Sequence, residues 1–351
     1  MKIIYKLLFL FLLTIGYSSC DFLDIVPDEI TTEADAFKDR NAAKNFVYSC
    51  YGYLPQSNVA SGSLDLLTGD EVITAFEHET FASFPKGNYT ASSPVISYWN
   101  TFFQGLRQCY IFLENVDKVP DLTESVKTDY IAQVKFLIAY YHYQLARCYG
   151  PIILIKELPD VNASQAEYLP RTSYDECVDW ICNLLDEAAS SLPAIRTNKE
   201  DYGLATSVGA KAVKAKMLLY AASPLFNGNS SFYSNFTDKS GSQLMPLTYD
   251  PNKWVKAKTA IKEAIDLAEQ NGHALYVKQD YKIGNEDANP YPAAGPVRCL
   301  RTSLVDWDSR NPEVLLAETR SEGSYGIQNK SLPFVTDGWA WNGVGPTWTM
   351  L

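Results

Sequence analysis

The chain has 351 residues, of which 46% are hydrophobic, and its 30 Lys and Arg against 41 Asp and Glu give a net charge of −11. That length allows one large domain or two ordinary ones around a sizeable core. The acidic balance argues against a surface for nucleic acid or anionic lipid.

The N-terminus reads as an export signal. Lys2 and Lys6 precede an apolar run from Leu7 to Leu13, which is too short to span a bilayer, and the small residues Ser18 and Ser19 lead into Cys20. This pattern predicts a signal over residues 1–19 and a mature chain from Cys20, the lipidation acceptor. The rival is an ordinary secretory signal whose Cys20 pairs in a disulfide. Removing residues 1–19 takes away Lys2 and Lys6, leaving 28 basic residues (30 − 2) against 41 acidic ones, or −13.

From Thr32 to Leu54 the apolar spacing of Ala36, Phe37, Ala43, Phe46, Val47 and Cys50 predicts a helix stopped by Pro55. A long polar and aromatic loop follows to about Pro94, a length that points to function or disorder. A second helix is expected from about Val95 to Val119 and a third from about Glu124 to Tyr149. The third is apolar on more than one side and so should lie between neighbours. Ser173 to Glu176 reads as a capping box opening a fourth helix, which runs through Ala188 until Pro193. An alanine-rich fifth helix covers about Leu204 to Ala222. The sixth has Asp250 as N-cap and Pro251 in its first turn, places Trp254, Ala257, Ile261, Ala264, Ile265 and Ala268 on one face, and ends at Asn271-Gly272.

The fold class expected is therefore all-α: helices in pairs with alanines where they cross, in the manner of tetratricopeptide packing, although the strict repeat signature is absent. The helical scaffold occupies about 32–272 of a single unit over 20–351, and a loop-rich part that decorates it occupies about 273–351. The chain stops inside an apolar run at Leu351, which reads as truncation of a C-terminal part.

Catalytic signals are weak. There is no H-E-x-x-H, G-x-S-x-G, G-x-G-x-x-G or G-x-x-x-x-G-K-[ST]. Of the three histidines, His142 reads as a satisfied core residue and His78 as part of a solvated triplet, Glu77-His78-Glu79. Asp70 and Glu71 are adjacent, a poor arrangement for carboxylates flanking a glycosidic bond. A calcium site using Asp70, Glu71 or Asp287 has no EF-hand spacing behind it, and no cofactor is implied. Besides Cys20, the six cysteines Cys50, Cys109, Cys148, Cys177, Cys182 and Cys299 show no metal spacing and read as buried free thiols, with one bridge left open for an exported chain.

Aromatic residues outside the helices carry the stronger signal: Phe76, Phe81, Phe84 and Tyr89, then Tyr281, Tyr291, Trp307, Trp339, Trp341 and Trp348. An indole or phenol flanked by Asn, Asp and Arg suits the apolar face and hydroxyl rim of a sugar. The candidate ligand residues are Asp70, Tyr89, Tyr291, Trp339, Trp341 and Asn342. A protein interface is an equal rival for the same side chains. Trp99, Trp180 and Trp254, within helices, are assigned to the core.

Several stretches resemble the SusD/RagB family of outer-membrane nutrient-binding lipoproteins. They include Cys20 to Asp24, Trp99 with Gly105 to Tyr110, Phe112 to Asn115, Val134 to Tyr141, Arg147 to Pro151, Leu169 to Arg171, Ala210 to Ala212, Leu219 to Gly228, and Asn311 to Glu313. Their order covers nearly the whole mature chain, with departures at Tyr110, where many relatives have Asn, and Ile138, where Arg is common. The resemblance implies four tetratricopeptide-like helix pairs, no catalysis, and capture of oligosaccharides. It implies delivery to a SusC-like TonB-dependent β-barrel, over which the protein acts as a lid while lipid-anchored on the exterior of the outer membrane. A peptide-binding lid, a helical-repeat adaptor and, further off, a glycoside hydrolase are the alternatives.

Overall fold

The structure is a computed structural model that describes residues 33–55, 69–79, 82–160, 162, 164, 169–277, 303, 311–319, 327–331 and 341–348. Its elements are mostly α-helices: the short α1 (Glu33–Ala36), α2 (Arg40–Tyr51), then, after the short strand β1 (Val72–Thr74) and α3 (Ser83–Lys86), α4 (Trp99–Asn115) and α5 (Glu124–Tyr149). They continue as α6 (Tyr174–Ser191), α7 (Ser207–Ala222), α8 (Ser230–Tyr233), α9 (Asn252–Gln270) and α10 (Ile327–Ser331), and the strand β2 (Val344–Pro346) closes the order. Each long helix packs on its predecessor: α4 on α2, α5 on α4, α6 on α5, α7 on α6 and α9 on α7. That is the all-α stack the sequence predicts, in which each unit buries its apolar face against the next.

The core runs through α5, where every residue from Val134 to Ala146 except Lys135 and Tyr140 is buried. Helices α2, α4, α6 and α7 all touch it, which explains a sequence apolar on several sides. Tyr141 is fully buried and donates its hydroxyl to the Cys50 carbonyl at 2.5 Å. Where α2, α5 and the start of α7 meet, polar groups satisfy one another. The Tyr51 hydroxyl donates to Gln133 Oε1 at 3.0 Å and accepts from the Ala205 amide at 2.9 Å. Arg196 grips Asp129 with two nitrogens, at 2.9 and 2.7 Å, and donates to the Ala205 carbonyl. Asp129 in turn accepts from Gln133 at 2.8 Å.

His142, with no exposure, is the satisfied core residue the sequence suggests. Its Nε2 accepts from the Ile155 amide at 3.1 Å, so the proton sits on Nδ1, which faces the Ile138 carbonyl at 2.8 Å. Burial lowers its pKa from 6.5 to about 4, and Trp180 packs edge-on at 4.8 Å.

Several sequence expectations are corrected. The first helix is broken: Asp39 accepts from the Asn41 and Ala42 amides and restarts the chain as α2. The second begins at Trp99 rather than near Val95. Ser173 forms no side-chain cap, and the entry to α6 is fixed instead by the Tyr174 amide donating to the Leu244 carbonyl at 2.8 Å. On α9 the buried stripe is Ala257, Ala260, Ala264 and Ala268, while Trp254 and Ile265 are 41% and 46% exposed. The alanines let α9 approach α7 closely, and larger side chains are pushed to the flanks. Pro251, not Asp250, stands at the N-cap of α9, although Asp250 just ahead of it accepts from the Asn252 amide at 2.9 Å, and Gly272 follows the helix at φ +86°. The described cysteines Cys50, Cys109, Cys177 and Cys182 are buried, Cys148 is half-buried, and none of the five is in a disulfide.

Candidate functional site

The long first loop and the C-terminal segment, read separately from sequence, meet in the fold. β1 and β2 form an antiparallel pair with Val72 opposite Pro346 and Thr74 opposite Val344. Beyond the strands the pairing continues: the Ala75 amide donates to the Gly343 carbonyl, and the Thr347 amide to the Glu71 carbonyl at 2.8 Å. Asn342, at φ 48°, turns the chain into β2, a conformation Asn tolerates better than most residues. Gly343 follows because a Cβ there would lie 2.0 Å from the Phe76 ring.

This patch brings together three of the residues proposed from sequence. Thr347 Oγ1 donates to the Asp70 carbonyl at 2.5 Å, which sets exposed Asp70 beside Trp348 at one end of the ladder. Half-buried Trp341 and exposed Asn342 lie at the other end, with the Trp341 amide on the Asn329 carbonyl at 3.1 Å. From Asn342 to Thr347 the strand rise gives roughly 17 Å of surface. His78 stacks on Phe76 at 5.4 Å near the Asn342 end, and Trp348, 90% exposed, presents its indole to solvent. The patch is anchored by Lys330 of α10, which pairs with Glu79; both side chains are largely buried. Tyr89 is placed elsewhere: half its surface is exposed and its ring contact is with Phe84 at 5.1 Å. Cys20, Tyr291, Trp339, Phe81, Tyr281, Asp287, Cys299 and Trp307 lie outside the described residues.

A second concave feature escaped the sequence reading. A cleft of about 1030 Å³ opens between one face of α4, with Trp99, Asn100, Phe103, Gln104 and Arg107, and the irregular segment 153–160. Trp99, assigned above to the core, is instead a half-buried wall residue with Arg171 over its ring at 5.3 Å. The opposite wall is pinned from within: His142 and Tyr110 hold both sides of Ile155, with Tyr110 Oη 2.6 Å from its carbonyl, and Arg107 donates to the Pro159 carbonyl at 2.8 Å. The spacing of residues 99, 103 and 107 marks one helical face, but only the fold reveals that the face is uncovered. Among the described residues no group of His, Cys, Asp and Glu is placed to hold a metal ion, and no helix is long and apolar enough to cross a membrane.

A stack of α-helices carrying a small solvent-facing aromatic patch and a wide cleft is a binding scaffold in class. The sequence model of the SusD-like family, described as starch-binding and associating with the outer membrane, matches residues 21–219, more than half of the chain. The chain belongs to that family. Among individual proteins it is similar to SusD-like protein P25 of Formosa agariphila, 23% identical over 230 residues, which are 62% of this chain and 43% of the relative. Among solved structures it is similar to BT4246, with 30% identity, a TM-score of 0.74 and coverage of 89% of this chain and 56% of that one. The fold also matches a SusD-like protein from Bacteroides fragilis NCTC 9343, BF3747, at a TM-score of 0.67 and 20% identity, over 91% and 53% of the two chains. The chain spans about half the length of the relatives it matches.

Proposed function

We propose that this protein captures oligosaccharides non-covalently at the surface of the outer membrane and delivers them, as a lid, to a SusC-like TonB-dependent β-barrel. Cys20 carries the lipid anchor, residues 1–19 are its signal, and the scaffold over about 32–272 presents a ligand-facing part over about 273–351. Membership of a family described as starch-binding supports the ligand class. The observation that carries the reading to a site is the 90% exposed indole of Trp348 beside Asp70 on the same ladder as Trp341 and Asn342. Such a surface has room for more than one sugar ring, with polar side chains at both ends. Tyr89, Tyr291 and Trp339 complete the proposed ligand set. The role requires no catalysis and no cofactor.

A peptide ligand is the second reading, and the cleft beneath Trp99 favours it, because Phe103, Ile153, Leu154, Leu158 and Leu169 make its lining mostly apolar. Affinity electrophoresis of the chain without residues 1–19 against a panel of polysaccharides separates the cases when the same gels are assayed for reducing ends. Retardation without product is expected. Retardation with product would replace capture by hydrolysis, and no retardation by any polysaccharide would make the peptide lid the leading account. Co-purification of a large β-barrel with the full-length protein tests the partner, and its absence would favour an adaptor.

A further inference from the structure

Two glycines of the C-terminal segment stand on one face of the ladder, and the fold explains only the first of them. Antiparallel pairing puts Gly345 opposite Ile73, while the flanking amide bonds put Gly343 beside Ala75 and Thr347 beside Glu71. The strand period of two therefore gathers Glu71, Ile73 and Ala75 with Gly343, Gly345 and Thr347 on one face. Exposure follows that alternation: Glu71, Ile73 and Ala75 are exposed, whereas Val72 and Thr74 are half-buried and Val344 is buried. At Gly343 the Phe76 ring fills the space a side chain would take, and exposed His78 stacks on that ring. At Gly345 no atom of the described residues comes within 4 Å of a Cβ position, and φ lies outside the left-handed region. A glycine inside a strand weakens it, and it marks a bend, a bulge or the close approach of a ligand or another backbone. The register from Val72–Pro346 to Thr74–Val344 runs without a bulge, and among the described residues no neighbour packs on Gly345.

We propose that Gly345 is a specificity-determining residue of the glycan site, its missing side chain leaving a flat strip on which a sugar ring lies against the strand backbone. The inference rests on the oligosaccharide-capture reading above and names the surface that reading uses. Ile73, 55% exposed and directly across the ladder, supplies apolar area for the C–H face of the ring. Phe76 and His78 bound the strip at the Gly343 end, and Thr347 leads to the exposed indole of Trp348 at the other. The Glu71 side chain, exposed on the same face, accepts from ring hydroxyls at that second end. The ligand is thus an extended stretch of glycan that presents an apolar ring face to the middle of the ladder. A side chain at position 345 would stand where that ring lies.

The test is a series at one position, Gly345→Ala, Gly345→Val and Gly345→Leu, made in the full chain. Each variant is run on affinity gels of soluble starch, xylan and mannan and scored on the polysaccharide that most retards the unaltered protein. Retention should fall stepwise with side-chain size, by roughly tenfold in affinity at Gly345→Leu, because the added group clashes with bound ligand only. The urea midpoint should hold or rise along the series, since a side chain with open space around it restores strand propensity. Undiminished retention in Gly345→Leu would overturn the proposal. Should the midpoint fall instead, Ile73→Ala carries the test: it should weaken retention on the same gels, and full retention there would overturn the proposal equally. Trp348→Ala keeps the two readings apart. Weakened retention in Trp348→Ala with none in Gly345→Leu would leave oligosaccharide capture standing and remove Gly345 from its site. Failure of every gel to retard the unaltered protein would remove both. Loss of a co-purifying β-barrel in Gly345→Leu, with glycan retention intact, would make the face a protein contact and refute the proposal.

Discussion

Around Tyr141 the chain is closed by mass: α5 is buried along most of its length, and α2, α4, α6 and α7 all press on it. Around Thr347 the chain is closed by a handful of directed bonds, namely a three-residue ladder, two flanking amide bonds and the Lys330–Glu79 pair. The first region is most sensitive to lost volume. The second has little volume to lose and depends on the placement of individual donors. A surface meant to present indoles to solvent cannot bury them, so it must borrow rigidity from hydrogen bonds and from the scaffold beneath.

The sharpest way to strain that contrast is to hollow the core. Leu145→Ala removes a side chain with no exposure and should cost about 3 kcal/mol, read as a lower urea midpoint with unchanged m-value. Acid attacks the same region through His142. The unfolded imidazole takes up a proton below about 6.5, but the folded one does so only near 4, so its contribution is complete above pH 6.5 and is lost as pH falls from 6.5 to 4. The full loss is roughly 3 kcal/mol. His142→Gln should flatten stability against pH across that window, and an unaltered slope would show that another group titrates.

Arg196→Ala leaves Asp129 with Gln133 as its remaining donor, strips the guanidinium from the Ala205 carbonyl, and should cost roughly 2 to 3 kcal/mol in the same denaturation experiment. Lys330→Ala is expected to act locally, at roughly 1 to 2 kcal/mol, by stranding the Glu79 carboxylate. Hydrogen exchange should then quicken at the Ala75, Gly343 and Thr347 amides while those of α5 stay protected. Loss of protection in α5 as well would mean that the patch is part of the core after all. Trp348→Ala should leave the urea midpoint in place and weaken glycan retention roughly tenfold. Unchanged retention would remove Trp348 from the proposed site.

Much of the scaffold is legible from spacing alone because a buried helix repeats its apolar side chains every turn. The boundaries of α5 match those read from the pattern, and the alanines of α7 and α9 mark the close crossing. Local chemistry misled where a distant partner intervened. Ser173 has the sequence of a cap, yet Leu244 supplies the bond that starts α6. Trp254 has the spacing of a core residue, yet the alanines on the neighbouring face draw α9 in and leave the indole outside. The candidate site was legible as residue types, since exposed Trp, Asn and Asp in loops stand out. Its assembly was not, because Asp70 and Thr347 are separated by 277 residues and meet through backbone bonds that any sequence can make.

The sequence by itself determined the all-α class, the order of the long helices, the bounds of α5, and the family, since periodicity and ordered motifs are properties of neighbours along the chain. Only the tertiary structure decided which helix faces stay open, that β1 and β2 pair, and that Trp99 walls a cleft. Those outcomes depend on how closely helices approach and on contacts between segments far apart in sequence, which no local pattern encodes.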